Sequence, residues 1–289
     1  MSIQSTSDWL AKAKEKGMTL AQYVLYDEVK ETGSTEEEIL AKINRTLDVM
    51  ENASKKALQN NVKSVSGISG GDAQKLYSYA TTKRSLLGGI PEKAMYYAVS
   101  TSEVNASMGV IVAAPTAGSC GIIPGTLFAV AEEFKATREQ LVDALLVAGG
   151  VGKAIAVNAS LAGAEAGCQA ECGSACAMAA AGACVLLNGT PEQCMQAAAL
   201  ALKNSLGLAC DPVAGLVEVP CIKRNGIFAV HALSAADMAL AGVESKIPLD
   251  EIIDAMYAIG VSLPAGIRET ATGGLAVTPT GCKIKENLF

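Results

Sequence analysis

Nine cysteines and a single histidine sit in this 289-residue chain. Three of the thiols, Cys168, Cys172 and Cys176, recur every four residues within Glu165–Cys184. A zinc ribbon or a thioredoxin-like site needs C-x-x-C pairs, and the sequence has none. A histidine-rich zinc site is excluded by the lone His231. Thiolates that do bind a metal select soft ions and iron–sulfur clusters. Fourfold spacing has a plainer origin too, because a cysteine among Ala and Gly on a helix packs as a small apolar residue. Cys172, Cys176, Cys184 and Cys194 are read as core on that ground. Cys168, Cys210 and Cys221 differ, since each adjoins a loop residue or helix breaker: Gly167-Cys168, Cys210-Asp211-Pro212 and Pro220-Cys221. Loop positions can converge on one site from distant sequence. The residues alone leave both a three-thiolate cluster site and core packing open.

Loops rich in Gly, Pro, Ser and Thr surround these thiols: Ser66–Asp72, Ala114–Gly125, Gly167–Gly173 and Ala209–Cys221. Gly-rich loops that open helices present backbone N–H groups to anions such as carboxylate. None matches a Walker A loop or a dinucleotide fingerprint. Ser66, Ser69, Gly70, Gly71, Thr116 and Gly118 are the candidate donors to a substrate carboxylate. Asp72 is placed either to orient an ammonium group or to cap a helix. No general base stands out. His231 lies in a helical pattern away from the loops, and Lys153 and Lys223 are the cations nearest the motifs.

The elements that must position these groups read as helices. Residues 1–60 are dense in charge and amphipathic, with Thr19 opening one helix and Ser34 or Thr35 capping the next before Glu36–Glu38. Ile39, Ile43, Leu47 and Met50 form one stripe. Ala-rich helical sequence runs from Thr137 to Leu206, with breaks expected at Gly149–Gly152 and Asn188–Pro191. Residues 227–243 and the segment from Ile247 to Gly260 are helical, and the tail from Ala271 is irregular. "GVIVAAP" at Gly109–Pro115 is the best strand candidate. The expectation is an all-α fold in one domain, with 1–60 as a charged helical region of it and 61–289 carrying the site.

Half the residues are apolar but only 4% are aromatic, so the core must be built from small and aliphatic side chains. A net charge of −6 without a basic block argues against nucleic acid. The uncharged stretch Val104–Ala131 is broken by Pro115, Pro124 and four glycines, so no membrane span is expected there. A polar, acidic N-terminus without an apolar core gives no signal peptide, and the odd cysteine count suits reduced thiols, which together indicate a cytoplasmic protein.

The segments "SGISGGDAQKL", "NASMGVIVAAPTAGSCGIIPG", "GAEAGCQAECGSACAMAAAG", "GLACDPVAGLVEVPCIKRN" and "GGLAVTPTGC" follow one another through most of the chain. In them the sequence resembles the α subunit of the iron–sulfur-dependent L-serine dehydratases. That resemblance implies deamination of L-serine to pyruvate and ammonia. It implies a 4Fe–4S cluster held by Cys168, Cys210 and Cys221, with its fourth iron open to substrate and no pyridoxal phosphate. Cys282 stands where single-chain relatives carry a cysteine able to reach that iron, and seven residues follow it here. Cys120 falls where such relatives tend to carry Ala. A separate β subunit is the implied partner, and the unassigned base is expected to come from it. Two other readings remain at this level: a related cluster-dependent lyase such as a cysteine desulfidase, and a non-catalytic helical scaffold subunit.

Overall fold

A computed structural model describes residues 5–289, and it is helical throughout, with no strand among the described residues. The charged N-terminal region folds as α1 (Thr6–Glu15), α2 (Leu20–Thr32) and α3 (Glu36–Gln59). Thr19 and Thr35 each close a reciprocal capping box, with Gln22 and Glu38 respectively. These helices do not stand apart from the rest. Trp9 is wholly buried, α3 packs on later helices, and Thr6 N–H donates to Asp250 over 2.7 Å.

Next come α4 (Asp72–Thr82), α5 (Gly89–Ala106), α6 (Ile122–Phe134) and α7 (Arg138–Asn158). Between α5 and α6 the chain is loop with one short 3-10 turn, and "GVIVAAP" is irregular rather than a strand. Among the described residues no partner strand lies there to satisfy its backbone. The expected break at Gly149–Gly152 is also absent, since α7 runs straight through it. The glycines serve close packing instead: a Cβ on Gly150 would lie 2.6 Å from the Trp9 ring, and one on Gly152 would lie 2.7 Å from Met178. Among the described residues α7 alone is long and apolar enough to span a membrane, and it is mostly buried against its neighbours.

A short α8 (Gly163–Ala166) leads to a π-helical turn over Gln169–Gly173, which runs into α9 (Ser174–Leu186). Nearly every residue of α9 is buried, so this helix is the axis of the molecule. Its sequence, SACAMAAAGACVL, is small on every side. α6, α7 and the helices that follow, α10 (Pro191–Lys203) and α11 (Cys221–Leu240), therefore pack around it. Cys176 and Cys184 are fully buried there, as is Cys194 on α10 to within 1%. α12 (Leu249–Ser262) and α13 (Pro279–Leu288) complete the chain. α11 begins six residues before the expected start, at Cys221 itself, and the tail expected to be irregular forms α13, capped by Thr278 with Pro279 in the first turn.

Candidate active site

Different backbone devices place the three loop cysteines. Cys168 precedes the π-helical turn, whose widened spacing sets its sulfur 3.4 Å from that of Cys172. Cys210 lies in an extended segment held to the C-terminal loop, its N–H donating to Ile267 O (2.8 Å) and its carbonyl receiving Glu269 N–H (2.7 Å). Cys221 is the first residue of α11, at the positive end of the helix dipole. All three are buried, and the sulfur of Cys168 neighbours those of Cys172 and Cys210. Gln169, fully buried, braces two of these segments: its amide donates to Ala166 O and Met256 O (2.9 Å each), and its carbonyl oxygen receives Gly207 N–H at 2.8 Å.

The electrostatics of the group are uneven. The adjoining thiols of Cys172 and Cys210, with the Arg224 guanidinium, hold the Cys168 sulfur well below the usual thiol range. Burial pushes Cys221 up to about 12, and its proximity to Cys168 adds to that. Glu171 enters the site from the π-helical turn, its Oε2 3.6 Å from the Cys210 sulfur and its Oε1 receiving the Thr116 hydroxyl at 2.6 Å. Burial pushes this carboxyl up to about 7, against the pull of Thr116. Gly163 makes room for the pair, since a Cβ there would lie 2.5 Å from Glu171 Oε2 and 3.0 Å from the Cys210 sulfur.

The loop residues form the adjoining wall. Ser66 donates to Glu218 over 2.7 Å, and Ser69 donates to the other oxygen of the same carboxylate. Gly70 and Gly71 have left-handed backbones, and a Cβ on Gly70 would fall 2.3 Å from Val62 O. Gly71, not Asp72, caps α4; the first free N–H groups of that helix, at Asp72 and Ala73, donate to the buried carboxylate of Glu103 at 2.6 and 3.3 Å. The Asp72 carboxylate instead meets Lys223 (2.6 Å) and Lys75 (2.9 Å); burial works against its charge, but these partners hold it below the usual range. Gly118 faces Glu171, and its carbonyl receives Asn225 Nδ2 at 2.8 Å.

Several expectations fall elsewhere. Cys282 is exposed on α13, apart from the buried thiols, and Cys120 is buried with its thiol pushed up to about 12. Lys153 serves the N-terminal helices, pairing with Asp27 at 3.1 Å and with Glu31. His231 packs on Phe228 and meets Ala201 O at 3.1 Å, and burial lowers its pKa. Sequence reasoning missed Glu171, Arg224, Glu218 and Glu103. The first three sit inside quoted motifs, so a charge within a small-residue loop was the available signal; Glu103, in the last turn of α5, gave none.

The residues fit a cluster better than a lone ion. Among the described residues, no three His, Cys, Asp or Glu side chains surround one point as a single metal ion requires. A cluster spreads its iron atoms over separate corners, each taking one thiolate. Buried soft donors on three segments and a cation beside them suit that arrangement.

Residues 15–276 match the family model described as serine dehydratase alpha chain. The chain belongs to the serine dehydratase alpha-chain family. It is 52% identical over 287 residues to a probable L-serine dehydratase alpha chain of Bacillus subtilis, covering 99% of this chain and 95% of that one. It is 47% identical to the L-serine dehydratase alpha chain of Peptoniphilus asaccharolyticus, covering 95% and 94%. L-serine dehydratase 2 of Escherichia coli is 43% identical over 189 residues, which are 64% of this chain but 41% of that protein. Every site residue named above except Cys282 lies inside the span matched by the serine dehydratase family model.

Proposed function

We propose that this chain is the cluster-bearing α subunit of an L-serine dehydratase, converting L-serine to pyruvate and ammonia in the cytoplasm. The observation that carries the reading is the gathering of Cys168 and Cys210 beside Arg224, with Cys221 opening the adjacent helix, in a chain of this family. Cys168, Cys210 and Cys221 would hold a 4Fe–4S cluster, which would supply a Lewis acid for departure of the β-hydroxyl.

The chain's own residues do the rest of the positioning. The loop that Ser66 and Ser69 anchor to Glu218 presents the backbone N–H groups at Gly70 and Gly71 to the substrate carboxylate. Asp72 faces the ammonium group in competition with Lys75 and Lys223. Thr116 holds Glu171 at the inner wall, where Gly118 leaves room for its carboxylate. Removal of the Cα proton falls to a base on a separate β subunit. Its support is that the one histidine is packed away from the loops, and that the E. coli protein extends well beyond the portion matched here. Cys282 is a reserve ligand only if α13 moves inward, because its thiol is exposed.

The test is anaerobic iron and sulfide analysis joined to pyruvate formation from L-serine and from L-cysteine, with and without the β chain. Cluster uptake with turnover of serine supports the reading. A colourless, iron-free protein under strict anaerobiosis refutes it, and preference for cysteine reassigns the substrate.

A further inference from the structure

Arg224 and Lys223 are adjacent cations at the start of α11 that serve opposite sides of the site. Lys223 is half-exposed and reaches the Asp72 carboxylate. Arg224 turns inward, its side chain only 16% exposed. Its Nη1 donates to Ala209 O at 2.8 Å and its Nη2 to Asp211 Oδ1 at 3.0 Å, which are the residues on either side of Cys210. The same guanidinium is near enough to the Cys168 sulfur for its charge to act on it. It springs from the turn that begins at Cys221, three residues earlier and therefore on the same helix face. One side chain thus neighbours Cys168, flanks Cys210 on both sides and shares a helical turn with Cys221.

We propose that Arg224 is the positioning residue of the three-thiolate set: its planar fork ties the segments bearing Cys168, Cys210 and Cys221 into one frame and sets a fixed positive charge beside their sulfurs. The proposal rests on reading these thiols as cluster ligands. A buried guanidinium is costly unless its charge is matched. Asp211 matches it only in part, because its second oxygen is engaged by Leu275 N–H at 2.8 Å. Lysine would not substitute, since a point charge cannot bridge both sides of Cys210 at once. The frame extends to the C-terminal loop, where Gly274 admits Asp211 so closely that a Cβ would lie 2.4 Å from its Oδ2.

The experiment compares wild type, Arg224→Lys and Arg224→Gln, each reconstituted anaerobically. It reads the rate of iron loss to a ferrous chelator and the reduction potential of the bound cluster. Loss of an outer partner of a metal site weakens binding by about 10–100-fold. Both variants are expected to shed iron faster by about that factor. Only Arg224→Gln is expected to move the potential to more negative values, because only it removes the charge that favours the added electron. If Arg224→Gln retains iron at the wild-type rate and potential, the proposal is overturned. Should that variant not fold, Arg224→Lys decides: faster iron loss at an unchanged potential supports the proposal, and wild-type retention overturns it. A wild type that takes up no iron refutes the cluster reading itself, a failure the wild-type arm separates from the other.

Discussion

Ser66 donates its hydroxyl to Glu218 Oε1 over 2.7 Å, across 152 positions of sequence. Ser69 donates to the other oxygen of that carboxylate, which is 5% exposed. Glu218 lies three residues before Cys221, so one buried carboxylate joins the Ser66–Asp72 loop to the segment that carries a thiol. The proposed substrate wall and the proposed cluster wall are therefore mechanically connected.

Glu218→Ala should leave both hydroxyls without their acceptor and loosen the loop. The expected result is a KM for serine raised about tenfold, equal to about 1.4 kcal/mol, with iron content unchanged. Steady-state kinetics beside iron analysis check this, and an unaltered KM would count against the loop as a substrate contact.

Serine substitutions at the cysteines should divide into two classes. Cys168→Ser, Cys210→Ser and Cys221→Ser should each lose iron and turnover. Cys172→Ser, Cys176→Ser and Cys184→Ser should keep iron and lose about 1–3 kcal/mol of stability, the cost of burying a hydroxyl without good partners. Cys172 is the decisive member, because its sulfur is 3.4 Å from that of Cys168. Iron loss in Cys172→Ser, or iron retention in Cys210→Ser, would redraw the ligand set.

Gly163→Ala should disturb the site with one methyl group. Its Cβ would fall 2.5 Å from Glu171 Oε2 and 3.0 Å from the Cys210 sulfur. Overpacking of this kind costs about 1–3 kcal/mol. Thermal unfolding should show the loss, and iron uptake should fall with it. Wild-type values of both would mean that the space beside Cys210 is not needed.

Air should inactivate the enzyme and bleach its absorbance, and ferrous iron with a thiol should restore part of both. An iron lacking a protein thiolate is open to oxidant as well as to substrate. Activity that survives days of aerobic handling would be incompatible with such a site.

Adding the β subunit to cluster-loaded chain should raise serine turnover at least about tenfold, or about 1.4 kcal/mol of barrier. A base must come within about 3 Å of the Cα proton, and the only imidazole here is committed to packing on Phe228. Full activity without β would return the search to Glu171 and to Lys223.

Local signals in the sequence were dependable where the physics was local. Thr19 and Thr35 announce helix starts because a hydroxyl and a residue three positions on satisfy each other's backbone groups without help from the rest of the fold. In the stripe Ile39, Leu47 and Met50 are buried and Ile43 is partly so, and the Ala-rich segment is the central helix that its composition requires. Glycine misled where its role was tertiary. Gly150 and Gly152 look like breakers, yet they are places where Trp9 and Met178 press against an unbroken helix. The tail looked irregular because ten residues with one capped turn carry little periodicity, although Thr278 and Pro279 were the start signal.

By itself the sequence determined an all-helical chain, singled out Cys168, Cys210 and Cys221 by their loop neighbours, and marked the loops at Ser66, Thr116 and Ala209 as chemically distinct. Only the tertiary structure decided what those loops meet. That Glu171 is held by Thr116, that Glu103 caps α4, that Glu218 receives both serines, and that Arg224 grips both sides of Cys210 are contacts spanning 13 to 152 positions. Periodicity and capping report on forces within a few residues along the chain. The partner of a buried charge is set by which helices pack together, and in an alanine-rich core that choice is made by close backbone approach, which leaves no pattern in the order of the residues.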